Sequence, residues 1–202
     1  NSLGVFDITR NNLRNEGFPI GIELGHSATE PLSQLILKAK HVSAGEKLPD
    51  PRILRTYFKN CDWILHAGDF VNIEIYEYLK EFMKNNVKAV CGNMDYGKIR
   101  EILPKKEILE FEGVKIGLIH GWGPPSGIEE RLYEAFLGEE IHCIVHGHTH
   151  HWNNEKKWGI LFFNPGSPTD RIYAQENTVG ILTIHQGSIN GEIIKVRIRN
   201  IM

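Results

Sequence analysis

Four short apolar runs each stop at a glycine with a polar side chain beside it: "DWILHAGD", "VKAVCGN", "VKIGLIHG" and "HCIVHGHTH". Runs of this length, rich in Val, Ile and Leu, read as buried strands. The stretches between and before them have helical spacing. "NIEIYEYLKEFMKNN" and "GIEERLYEAFLGEE" are amphipathic at the helical period. "DPRILRTYFKN" opens with Asp50 as N-cap and Pro51 at the first helical position, and it sets Ile53, Leu54, Tyr57 and Phe58 on one face. This alternation restricts the chain to an α/β fold with mainly parallel pairing in that half. After residue 158 the helical spacing ends. "GILFFNPGS", "TVGILTIHQG" and "GEIIKVRIRN" read as successive strands, with "HQGSINGE" a hairpin turn.

The 202 residues are enough for one domain with a substantial core, and two small domains also fit. The formal net charge of −2 argues against nucleic acid or an anionic membrane as a partner of the whole surface. No apolar run approaches the roughly 20 residues that span a bilayer, and the N-terminus has no signal-peptide pattern. Cys61, Cys91 and Cys143 are far apart and lie in or beside apolar runs. Buried reduced thiols and a cytoplasmic location are therefore expected. Residues 1–34 are rich in Asn, Gly, Ser and Pro and read as an N-terminal extension or irregular segment, with a domain over 35–202. The exposed-looking Trp152 and Trp158 are open to core or to interface, and a homo-oligomer is compatible with them.

In an open α/β sheet, ligands bind beyond the carboxyl ends of the strands. Asp69, Asn93, His120, His148 and His150 all fall at such ends. Imidazole, carboxylate and amide donors suit Mn, Fe, Zn or Ni. No cysteine lies in these turns, which argues against a structural zinc finger. The segment "IHCIVHGHTHHW" holds half of the ten histidines. If it is extended, His148 and His150 point to opposite sides and could serve different ions, while Thr149 faces away. His146 and His151 are candidates for orienting the ligands, with surface positions as the alternative.

The ordered set GD, GN, HG, GHTH and NPGS resembles the calcineurin-like metallophosphoesterases. Within them it is similar to the small prokaryotic phosphodiesterase branch and to the retromer subunit Vps29. The resemblance covers about residues 35 to 200. It implies a four-layer αββα sandwich of mixed sheets with a metal site at the strand C-terminal ends. It also implies two divalent ions, Mn²⁺ first, with Ni²⁺, Fe²⁺, Zn²⁺ or Mg²⁺ as alternatives. Asp69 would bridge them, Asn93, His120 and His148 would complete one site, and His150 would belong to the other. Asn164 to Ser167 would form a turn beside the site. Asn93 and Arg171 would contact the phosphate of a small phosphodiester, which a metal-activated hydroxide would attack.

Two departures stand out. The family opens with D-x-H, and no intact copy is present. Asp7 in "LGVFDITRNN" and His41 in "LILKAKHVSAGEKLPD" are the candidate remnants, with His41 the better placed. The second site is thus short of a ligand. Many relatives also carry histidine after the motif's asparagine, where this chain has Met94, which cannot donate a proton. Asp95 is open to the role of acid or of turn residue. The rival to hydrolysis is a Vps29-like binding scaffold with a degraded metal site. "GWGPPSG", residues 121–127, reads as a pocket rim or as a plain Pro/Gly loop.

Overall fold

The computed structural model describes residues 18–23, 51–170 and 173–197. Its strands form two five-stranded sheets. The first contains β1 (Phe18–Glu23), β2 (Trp63–His66), β3 (Val87–Ala89), β9 (Thr178–His185) and β10 (Ser188–Lys195), in the order β10-β9-β1-β2-β3. The second contains β4 (Lys106–Phe111), β5 (Val114–Ile119), β6 (Cys143–Val145), β7 (Asn153–Lys157) and β8 (Ile160–Asn164), in the order β4-β5-β6-β8-β7.

The inner strands have two buried faces, which is why they read as unbroken apolar runs. Leu65, Val145 and Phe163 belong to the core between the sheets, while their chain neighbours Ile64, Ile144 and Phe162 pack outward under helices. The outward face of the first sheet is covered by α1 (Pro51–Ile53, continued as a π-helical turn over Leu54–Phe58) and α2 (Ile73–Phe82), with α3 (Lys98–Ile102) beside them. Asn72 caps α2 by accepting the Glu74 N–H at 3.0 Å. The outward face of the second sheet is covered by α4 (Ile128–Ala135) through Ile128 and Leu132. The result is the four-layer αββα sandwich. Cys91 and Cys143 are buried free thiols, and Cys61 is partly buried and also free. Burial pushes the Cys61 thiol up to about 12, with the Asp62 charge adding to it. Among the described residues, no helix is long and apolar enough to cross a membrane.

Three details differ from the sequence reading. First, Phe18–Glu23 are not outside the sandwich. They form the strand between β2 and β9, parallel to the one and antiparallel to the other, with Ile20 opposite Trp63 and Leu182. Without this strand, the facing edges of β2 and β9 would carry unpaired backbone groups. The short alternation in "FPIGIE" was hidden by its Asn- and Gly-rich surroundings. Second, β4 and β7 are antiparallel additions to a half expected to be mainly parallel. Both are edge strands, so one flank needs no partner, and "NNEKK" carries no apolar side chain. Third, the β9–β10 turn is tighter than read: Ser188 already pairs with His185. Left-handed Gln186 and Gly187 make this a two-residue hairpin, as Glu112–Gly113 and Trp158–Gly159 do before β5 and β8. Trp152 and Trp158 are about half exposed and belong to none of the three buried clusters.

Phe163 locks the second sheet to the first. Its ring lies over Gly180 and Gly191, where an added Cβ would come within 2.5 Å of the ring. Phe163→Ala is expected to lower unfolding free energy by about 3–5 kcal/mol, read from urea denaturation.

Candidate metal centre

The turns after β2 and β3 touch backbone to backbone. A Cβ on Gly68 would lie 2.5 Å from the Gly92 nitrogen, and one on Gly92 would lie 2.1 Å from Asp69 Oδ1. Only glycine fits at either place. Gly68 and Asp69 both have left-handed backbone, with φ of 97° and 61°. His66 steadies the turn, stacking on Phe70 at 3.7 Å and accepting the Gly68 N–H at 3.2 Å.

Beneath the two turns lies Asp95, only 1% exposed. Its carboxylate accepts the N–H groups of Asp69 (2.9 Å), Gly92 (2.7 Å) and Val71 (2.8 Å). It is therefore more than a turn residue, because it ties the β2 turn to the β3 turn with charge-assisted bonds. The turn in which Asp95 sits returns the contact, since Met94 donates its N–H to Asp69 Oδ1 at 2.8 Å.

Asp69 is thereby fixed with Oδ2 facing His120 Nε2 at 3.3 Å. Burial alone would raise its carboxyl. The hydrogen bond and charge of His120 when protonated, the Met94 N–H and the charge of His150 outweigh burial and hold it below its ordinary value. His120 is also buried. Its Nδ1 lies 2.7 Å from the Ala67 carbonyl, which can only accept, so Nδ1 carries the proton. In the neutral ring, the Nε2 lone pair then points at Asp69 Oδ2 and at Asn93 Oδ1, 3.0 Å away.

His148 repeats the arrangement. Its Nε2 donates to the Gly123 carbonyl at 2.9 Å, and its Nδ1 faces Asn93 Oδ1 at 3.1 Å. Desolvation lowers the His148 pKa, favouring the neutral ring with its lone pair toward Asn93. Asp69, Asn93, His120 and His148 thus converge, and with both rings neutral their facing atoms are acceptors. Such a set fits a cation with a borderline preference for nitrogen and oxygen donors. Among the described residues, no three His, Cys, Asp or Glu side chains cluster on their own as a metal site. The Asn93 amide oxygen is what joins His148 to the Asp69–His120 pair.

His150 is placed differently. Its Nδ1 bonds the buried Asp170 carboxylate, and its ring stands edge-on to Tyr173 at 5.9 Å. Asp170 also accepts the N–H groups of Tyr173 and Ala174, each at 3.2 Å. The GHTH segment is not extended: His148 and His150 have φ of 69° and 58°. Thr149 does not face away, since its Oγ1 accepts from Asn164 Nδ2 at 3.1 Å. Asn164 also donates to the Gly147 carbonyl at 3.1 Å, so the start of the NPGS segment braces the GHTH turn.

His146 and His151 do not bond the convergent group. His146 is buried with Nε2 unpartnered, and burial lowers its pKa to about 4. His151 Nε2 donates to the Tyr173 carbonyl at 3.0 Å. Asp7, His41 and Arg171 lie outside the described residues. Sequence reading missed Asp170 and undervalued Asp95. Each follows its motif at short range, as GN-x-D and as NPGS-x-x-D.

Asp95→Asn keeps the shape but replaces an acceptor oxygen with an NH₂ group facing backbone N–H donors. It is expected to cost about 2–3 kcal/mol in chemical denaturation and to weaken divalent-cation binding about 10- to 100-fold in a metal titration.

The calcineurin-like phosphoesterase superfamily domain model matches residues 35–187. A probable metallophosphoesterase of Methanocaldococcus jannaschii is 43% identical over 122 residues, which is 59% of each chain. The aligned part thus spans about three fifths of that relative. A probable metallophosphoesterase of Methanothermobacter thermautotrophicus is 32% identical over 148 residues, 72% of this chain and 82% of the relative. Among solved structures, Thermotoga maritima TM1076 superposes with a TM-score of 0.60 at 28% identity, covering 89% of this chain and 99% of that one. Zinc-bound Vps29 of Entamoeba histolytica also gives a TM-score of 0.60, at 19% identity, covering 88% and 99%. With its sandwich and its convergent turns, the chain belongs to the calcineurin-like phosphoesterase superfamily, whose members' phosphoester chemistry implies divalent metal ions.

Proposed function

We propose that the chain hydrolyses phosphodiesters with divalent cations, Mn²⁺ first. Asp69, Asn93, His120 and His148 would hold one cation, and Asp69 with His150 would contribute to a second. The observation that carries this reading is the convergence of Asp69 Oδ2, Asn93 Oδ1, His120 Nε2 and His148 Nδ1. Bound cations supply Lewis-acid charge to the phosphoryl group and acidify water.

The chain's own residues do the positioning. The Ala67 carbonyl fixes the His120 tautomer, and the Gly123 carbonyl fixes that of His148. Asp170 holds Nδ1 of His150 and leaves its Nε2 free to serve as a donor. Asp95 is not the proton donor, because its oxygens are committed to three backbone N–H groups and it is buried. Met94, in the position where many relatives carry histidine, cannot donate a proton to a leaving group. The substrate suited to this site is a diester whose leaving group departs as a stable anion.

A second reading, a scaffold like Vps29, draws on one observation: the family's opening D-x-H has no intact copy in the sequence, which leaves the second site short of a ligand. One experiment separates the two. Metal content and hydrolysis of bis-p-nitrophenyl phosphate with added Mn²⁺ are measured beside Asp69→Ala and after chelation. Hydrolysis predicts near two equivalents of metal, and turnover reduced about 100-fold or more by either treatment. Folded protein with neither metal nor turnover would leave the scaffold.

A further inference from the structure

The loop Gly121–Gly127 between β5 and α4 is held by one guanidinium. Arg131, on α4, donates Nε to the Trp122 carbonyl at 3.0 Å, Nη1 to the Ser126 carbonyl at 3.1 Å and Nη2 to the Pro124 carbonyl. Pro124 and Pro125 stiffen the same loop. Both chain neighbours of Trp122 meet His148. A Cβ on Gly121 would lie 3.5 Å from His148 Cβ, and the Gly123 carbonyl accepts the His148 Nε2 proton. Trp122 is therefore fixed by its backbone at the edge of the convergent group.

Its indole is not used by the fold. Trp122 is 46% exposed and belongs to none of the buried clusters. The neighbouring turns show the same trait. Met94 follows Asn93, Trp152 follows His151, and Tyr173 stands edge-on to His150, and all three are exposed. A site for phosphate alone needs no apolar rim. A diester also carries an organic group, and an indole offers a planar π-face on which a base stacks.

We propose that Trp122, on its Arg131-clamped loop, is a stacking platform for a nucleobase carried by the phosphodiester substrate. The proposal rests on the phosphodiesterase reading and names its substrate class. The clamp matters because a platform ordered before binding loses little freedom when the base arrives.

The test compares thymidine 5′-(p-nitrophenyl phosphate) with methyl p-nitrophenyl phosphate in the presence of Mn²⁺. The two share a leaving group and differ in the nucleoside. The wild-type ratio of kcat/KM, nucleoside ester over methyl ester, is expected to be about tenfold or more. Trp122→Ala should lower that ratio about tenfold through KM, and Trp122→Phe should keep most of it. A wild-type ratio near one, or a ratio that Trp122→Ala leaves unmoved, overturns the platform. Quenching of indole fluorescence by thymidine 5′-monophosphate reads binding independently of turnover. Quenching that is lost in Trp122→Ala, with neither ester hydrolysed, would keep the platform and remove the hydrolytic reading. Absence of both quenching and discrimination removes the platform.

Discussion

A buried carboxylate is costly unless fixed donors replace the water it leaves. Asp95 meets that condition with three backbone N–H groups, two from the β2 turn and one from the β3 turn. Much of the site depends on this exchange. The left-handed backbone at Asp69 is tolerated because its N–H is claimed by Asp95. The same bonds pull Gly68 against Gly92, so that no side chain can intervene. Asp69 Oδ1 then receives the Met94 N–H, and Oδ2 is left to face His120. One carboxylate that touches no substrate thus sets the direction of another.

The histidines are governed by carbonyls rather than by charges. Ala67 and Gly123 each accept an imidazole N–H and turn the opposite nitrogen toward Asn93. These carbonyls come from two different turns, so tautomer choice reports on the folding of both sheets. His150 follows another rule, with Asp170 as its partner. Two kinds of hydrogen-bond partner, carbonyl and carboxylate, therefore orient the histidines of the site.

Much of this was legible in the sequence. The strand ends carrying Asp69, Asn93, His120 and His148 were readable because a buried strand followed by a glycine turn is a local pattern, and the structure brings those four together. The sandwich and its helical layers followed from the resemblance that the motifs carry. What was not legible depended on distant partners. Asp95 looks like any turn aspartate until two N–H groups from the β2 turn reach it. The bent GHTH segment could not be read from its spacing, because its left-handed residues are held by Asn164 and Asp170, from β8 and the turn beyond. β7 has no apolar residue to announce it, and its pairing is decided by the exposed backbone of β8. β1 was obscured by its composition, though the gap between β2 and β9 requires a strand there.

Leaving-group chemistry and rim chemistry point the same way. In the proposed hydrolase, Met94 offers the leaving oxygen no proton, so selectivity would come from the group that stays. That group is reached from the loops, and the loops here are apolar and aromatic where they border the convergent donors. Arg131 makes one of them rigid at the position where its backbone also fixes the proton on His148. A loop that sets both the ligand tautomer and the placement of an indole couples cation binding to substrate choice. In a scaffold whose pocket had decayed, nothing would maintain that coupling. The Arg131 bonds to Trp122, Pro124 and Ser126 and the Gly123–His148 bond hold one loop at both places, which supports the proposed hydrolysis over the scaffold.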